Sequence, residues 1–231
     1  MRAPPPSLLA GALVVCAGFA IASAPWALAM PWLNFVFKPL ATIVVIVYAA
    51  SRGQRQPLLR RWVLAGLVLS LFGDVALLWP KEGFLPGLVC FLLAHLAYLW
   101  AFTRPARFAA RIAPFVAYGV LAAAILALLW PGVPAGLRLP VLVYVIALAS
   151  MAAQAAVLWR AGVERAGVLA LGGAFFLASD ALLATNKFAA ALPAASLWIL
   201  GTYWLAQWCI ASWLPAVDAN AATKAGSPPA S

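Results

Sequence analysis

Residues 112–130 read Ile-Ala-Pro-Phe-Val-Ala-Tyr-Gly-Val-Leu-Ala-Ala-Ala-Ile-Leu-Ala-Leu-Leu-Trp, nineteen residues without a charge. A bilayer core about 30 Å thick takes ~20 apolar residues per helix, so this stretch predicts a membrane span. Working outward to the polar, Pro and Gly clusters on either side yields seven more runs, at 7–29, 32–50, 62–79, 84–102, 139–159, 167–185 and 196–214. The fold class that follows is an all-α membrane protein of eight transmembrane helices, forming one domain over 1–214. A small, polar, Pro-rich tail over 215–231 reads as disordered. The short connections predict antiparallel neighbours.

Composition agrees. Of 231 residues, 67% are hydrophobic and only 9% charged, with mean hydropathy +1.03. Soluble domains carry about 25% charged residues. A soluble single domain, a disordered chain and a nucleic-acid binder are therefore excluded. The net charge of +10 becomes an orientation signal. Eleven basic residues (Arg2, those of the turns at 52–61, 104–111 and 160–165, and Lys224) fall on the side of the N-terminus. Lys81, Arg138 and Lys187 face them on the other side. Basic loops stay inside, which predicts both termini in the cytoplasm. The Ala-, Pro- and Arg-rich usage points to a bacterial inner membrane. Arg2, an apolar run and Ala22-Ser23-Ala24 have the look of a cleaved signal, but the run continues through Trp26 to Met30 and reads as a retained first helix. Eleven Trp fit interfacial anchoring. Cys16, Cys90 and Cys209 read as small buried hydrophobes, with no disulfide or metal spacing.

Four ionisable residues fall inside spans: Lys38, Asp74, His95 and Asp180. Each costs about 2.5–3.5 kcal/mol to insert and by default faces the bundle interior. Counted from the expected helix ends, both carboxyls lie ~7–8 Å deep and Lys38 ~10 Å deep on the same side. Tyr203 falls at similar depth, with His95 and Gln207 about one turn deeper. Six polar groups from five helices thus converge on one cavity, if helix rotation allows. Ser70/Asp74, Tyr203/Gln207 and Asn34/Lys38/Thr42 each share a helix face. The stretches 70–78 and 177–183 align on their aspartates, on helices four apart. That faint likeness predicts a parallel four-plus-four repeat.

Each residue also has a bland role. Lys38 would pair with an aspartate to fix packing. His95 would be a core histidine, and Tyr203 and Gln207 interhelical glue. Gly172 and Gly173 would allow close helix approach. The aspartates resist this, because one lysine cannot neutralise both. A carboxyl that no cation neutralises is held as the acid in such a setting, and two carboxyls in unlike surroundings suit acid–base work.

Three stretches resemble the YhhN/TMEM86 family of multi-pass membrane proteins. They are Phe37-Lys38-Pro39-Leu40; the run from Ser70 to Phe102 with Gly73-Asp74 and Ala94-His95; and Ser179-Asp180 through Lys187-Phe188, followed by Thr202-Tyr203 and Ala206-Gln207. The resemblance implies hydrolysis of the vinyl ether bond of lysoplasmalogens to a fatty aldehyde and a glycerophosphoethanolamine or glycerophosphocholine. It implies Asp74 and Asp180 as catalytic residues. Lys38, His95, Asn186 and Tyr203 map onto further family positions, and Gln207 joins them as a binding or tuning residue. Protonating the β-carbon of a vinyl ether gives an oxocarbenium ion that water captures, and the hemiacetal then collapses. That chemistry needs a proton donor and a group to handle water, with no metal or organic cofactor expected. The expected partners are a lysophospholipid substrate and the bilayer, not nucleic acid; Lys38 would bind the lipid phosphate or tune an aspartate. The main rival is a proton-coupled transporter or lipid-translocating protein, since intramembrane Asp, Lys and His also build proton relays. An intramembrane aspartyl protease fits less well: the aspartate contexts here read Leu-Phe-Gly-Asp and Ala-Ser-Asp. A non-catalytic scaffold leaves the membrane charges unexplained.

Overall fold

A computed structural model describes residues 4–79 and 81–216. Those residues form eight α-helices: α1 (Pro6–Ala22), α2 (Pro31–Ala50), α3 (Pro57–Ala76), α4 (Phe84–Phe102), α5 (Ile112–Leu129), α6 (Arg138–Arg160), α7 (Ala166–Phe188) and α8 (Ala195–Trp213). Two 3₁₀ turns, Trp130–Gly132 and Ala135–Leu137, link α5 to α6. There is no strand among the described residues. By length and composition, five helices can cross a membrane: α2, α4, α5, α6 and α7. The helix α1 has 17 residues, and α3 carries Arg60, Arg61 and Asp74.

Four boundaries differ from expectation by three residues or more. The first helix stops at Ala22 rather than reaching 29, because Ser23 turns its hydroxyl back onto the Ala20 carbonyl at 2.7 Å and Pro25 cannot extend the ladder. The third starts at Pro57, five residues before the expected 62. A proline at the first helical position has its φ already set, and Arg60 and Arg61 are good helix formers that extend the helix without breaking it. It ends at Ala76, whereas α7 runs on past 185 to Phe188. The expected tail from 215 lies outside the described residues beyond Ala216, as does Arg2. The Pro215 carbonyl accepts a bond from the Gly53 amide at 2.8 Å.

The helices α2, α3, α4, α6, α7 and α8 each pack against the next, and α8 closes on α2. Outside this circuit of six, α1 leans on α2 and α8, and α5 on α6 with a light touch to α7. Side chain–backbone bonds tie each end. At one end Trp26 Nε1 donates to Ser196 Oγ at 2.9 Å, and Ser196 donates to the Ile21 carbonyl. At the other, Arg52 donates to the Leu214 carbonyl at 2.8 Å and Arg165 to the Ser212 carbonyl at 2.9 Å. Small residues let the helices approach. A Cβ on Gly73 would lie 2.6 Å from the Phe91 ring, and one on Gly66 would lie 2.3 Å from the Tyr98 ring, so α3 and α4 pack backbone to ring. Gly172 and Gly173 serve the expected close approach: added Cβ atoms would meet the Ala206 carbonyl at 3.1 Å and Ala152 at 3.0 Å. The three cysteines are free and half-buried.

Candidate active site

Asp74 is 1% exposed, at the end of α3. Thr42 Oγ1 donates to its Oδ2 at 2.6 Å and Tyr203 Oη to the same oxygen at 2.7 Å. Lys38 Nζ stands 3.7 Å from Oδ1. Each hydroxyl is also held from behind. Gln207 Nε2 donates to Tyr203 Oη at 3.1 Å, and Trp204 Nε1 donates to Thr42 Oγ1 at 3.2 Å. Each hydroxyl, having accepted an N–H, spends its own proton on Asp74. Tyr98 Oη completes the chain by donating to Gln207 Oε1 at 2.7 Å. Lys38, 6% exposed, therefore faces inward. Its Nζ is turned to Asp74 and does not line the cavity described below.

Asp180 lies in a second set. Tyr144 Oη, from α6, donates to Asp180 Oδ2 at 2.5 Å. His95 Nε2, from α4, is 3.0 Å from the Tyr144 oxygen and 3.5 Å from Asp180 Oδ2. With the phenol's single proton committed to Asp180, its oxygen accepts from His95. The network thus assigns the imidazole proton to Nε2. His95 is fully buried, and its Nδ1 has no hydrogen-bond partner among the described residues.

No hydrogen bond joins the two sets among the described residues. Phe176 stands against a member of each, 4.6 Å from the His95 ring and 5.7 Å from that of Tyr203, with Phe91 5.8 Å from Tyr203. The expected convergence on one cavity is therefore a pair of polar sets flanking aromatic rings. The cause is rotation and depth. Along the observed helices Asp74 lies two residues from the end of α3, about 3 Å, and Asp180 eight from the end of α7, about 12 Å. Asn186 joins neither set; its Oδ1 accepts from the Leu192 amide at 2.9 Å and shapes the turn after α7.

Of the two aspartates, Asp180 lines open space. With a side chain 14% exposed, it lines a cavity of about 820 Å³, open mouth included, between α4, α5, α6 and α7. Every other lining residue is apolar except Tyr144. Tyr144 is the site residue that the sequence did not reveal: an aromatic in a span reads as packing or an interfacial anchor. Its one available signal is register, because it precedes Asp180 by 36 residues, as Lys38 precedes Asp74.

Residues 33–214 match the YhhN family. The protein named lysoplasmalogenase TMEM86B of Sus scrofa is 36% identical over 183 residues, covering 76% of this chain and 73% of that protein. The human protein of the same name is 37% identical over 142 residues (61% and 58%). The lysoplasmalogenase of Mycobacterium bovis is 34% identical over 160 residues (64% and 58%). The chain thus spans less than two thirds of the human and mycobacterial proteins. No solved structure matches. The matched region runs from α2 through α8 and contains both aspartate sets and the cavity: the chain belongs to the YhhN family.

Proposed function

We propose that this protein is a membrane-embedded lysoplasmalogenase, using aspartate side chains to hydrolyse the vinyl ether bond of a single-chain ether phospholipid. One observation carries the reading: a cavity apolar throughout except for a carboxyl and a phenol. Its walls are almost wholly apolar, which suits a hydrocarbon chain. The relatives' names point the same way. Lys187, whose Nζ lies 4.2 Å from the Phe84 ring, brings a positive charge to the rim where the lipid phosphate would rest.

The chemistry is acid–base. A carboxylic acid gives its proton to the β-carbon, and the double-bond electrons form the new C–H bond. Water adds to the resulting oxocarbenium ion and returns a proton to the carboxylate. The hemiacetal hydroxyl then loses its proton, the C–O bond to glycerol breaks, and the glycerol oxygen is protonated. One water is consumed and one aldehyde leaves. In this reading all eight helices cross the membrane, with the Arg-rich end in the cytoplasm of a bacterial inner membrane.

Purified protein given lysoplasmenylethanolamine in heavy-oxygen water is expected to release aldehyde and a glycerophosphoethanolamine without heavy oxygen. Label in the glycerol would overturn this bond cleavage. Intact lipid moved across a vesicle, with no aldehyde formed, would favour translocation instead.

A further inference from the structure

The two aspartates are not interchangeable. Three groups point protons or positive charge at Asp74: Thr42, Tyr203 and Lys38. Both hydroxyls are fixed in place by the N–H groups behind them, Trp204 Nε1 and Gln207 Nε2. Such a shell fits a carboxylate and leaves no opening for substrate, since the residue is 1% exposed. At Asp180 both contacts converge on Oδ2. Among the described residues no hydrogen bond is made to its Oδ1, and the side chain lines the cavity.

The helix circuit explains the difference. In it α2 stands opposite α6, α3 opposite α7, and α4 opposite α8. Asp74 on α3 is held from α2 and α8, by Lys38 and Tyr203. Asp180 on α7 is held from the opposite pair, α6 and α4, by Tyr144 and His95. Lys38 and Tyr144 stand at the same 36-residue offset from their aspartates. Where one half supplies an ammonium, the other supplies a phenol, which orients a carboxyl without neutralising it. The two halves thus hold the same arrangement with its charge partner exchanged.

We infer that Asp180 alone transfers protons to and from the substrate, that Tyr144 is its positioning residue, and that Asp74 with Lys38 forms a fixed ion pair behind the site. This rests on the hydrolase reading and divides labour that the reading leaves open. A single carboxyl suffices for balance: having protonated the β-carbon, Asp180 is the base for the attacking water. Tyr144 holds Oδ2, directing Oδ1 at the vinyl ether carbon, and His95 holds the Tyr144 oxygen.

The test is steady-state kinetics of the purified full chain on lysoplasmenylethanolamine. Thermal unfolding and binding of the saturated 1-O-alkyl analogue are measured alongside. Tyr144→Phe keeps the ring and removes the hydroxyl. Its kcat is expected to fall about tenfold or more, with KM, analogue binding and unfolding temperature near wild type. Tyr118→Phe, a phenol of α5 that does not line the cavity, is expected to match wild type. Asp180→Asn is expected to lose about 10²–10⁴-fold in kcat while still binding the analogue. The paired change Lys38→Met with Asp74→Asn removes both charges together and is expected to stay at least about tenfold more active than Asp180→Asn. A folded paired variant as inactive as Asp180→Asn overturns the assignment, as does a Tyr144→Phe enzyme with wild-type kcat. A folded wild-type protein that releases no aldehyde overturns the hydrolase reading itself, and the assignment with it.

Discussion

Thr42 joins two buried partners through one hydroxyl. It accepts from Trp204 and donates to Asp74, so its removal strands a donor and an acceptor together. An unsatisfied buried partner costs about 1–3 kcal/mol. Thr42→Val, nearly the same shape, is expected to lower stability by that amount, read from denaturant or thermal unfolding in detergent. Lys38→Ala alone leaves Asp74 without its cation, and breaking a buried pair costs about 3–5 kcal/mol. The paired neutral substitution is expected to be milder than the single one; equal losses would show that the ion pair does not hold this corner. Lys38, Asp74, His95 and Asp180 were legible in the sequence because charge inside a span is expensive. Tyr144 was not, because a phenol in a span needs no explanation until its helix rotation is known.

At the scale of elements, the contact between α3 and α4 depends on glycine. With a Cβ 2.6 Å from the Phe91 ring, Gly73→Ala forces the ring or the helix to move, an overpacking cost of about 1–3 kcal/mol. The same ring packs on Tyr203, so the Asp74 set is expected to loosen as well, seen as faster proteolysis of the solubilised protein. Gly119, with nothing within 4 Å of an added Cβ, provides the comparison: Gly119→Ala is expected to be neutral or stabilising. The cavity belongs to this scale too. Leu148 of α6 lines it, and Leu148→Trp is expected to raise KM for long-chain substrates more than for short ones. An unchanged chain-length profile would place the hydrocarbon elsewhere. Helix number and order were legible from apolar run lengths. Helix ends were less so: the charges at Arg60 and Arg61 hid a start at Pro57, and Thr185 looked terminal although α7 runs to Phe188.

For the whole molecule, the circuit of six helices places each aspartate where α2 and α8, or α6 and α4, can reach it. The sequence suggested the duplication through two short aspartate stretches, yet it predicted one cavity where the fold makes two polar sets around Phe91 and Phe176. Side-chain alternation cannot show that division, because it depends on how far each helix turns about its axis. The Arg-rich end is joined by Arg52 and Arg165 to the end of α8. Reporter fusions in the turn at 81–83 are expected to read as outside the cytoplasm, and a cytoplasmic signal there would invert the molecule. The central claim concerns proton transfer by Asp180 in an apolar cavity. Aldehyde formation from lysoplasmenylethanolamine, timed for the wild-type protein and for folded Asp180→Asn in the same bilayer discs, tests it most directly. Steady release by the first and a loss of about 10²–10⁴-fold in the second is the expected result; equal rates would contradict the account.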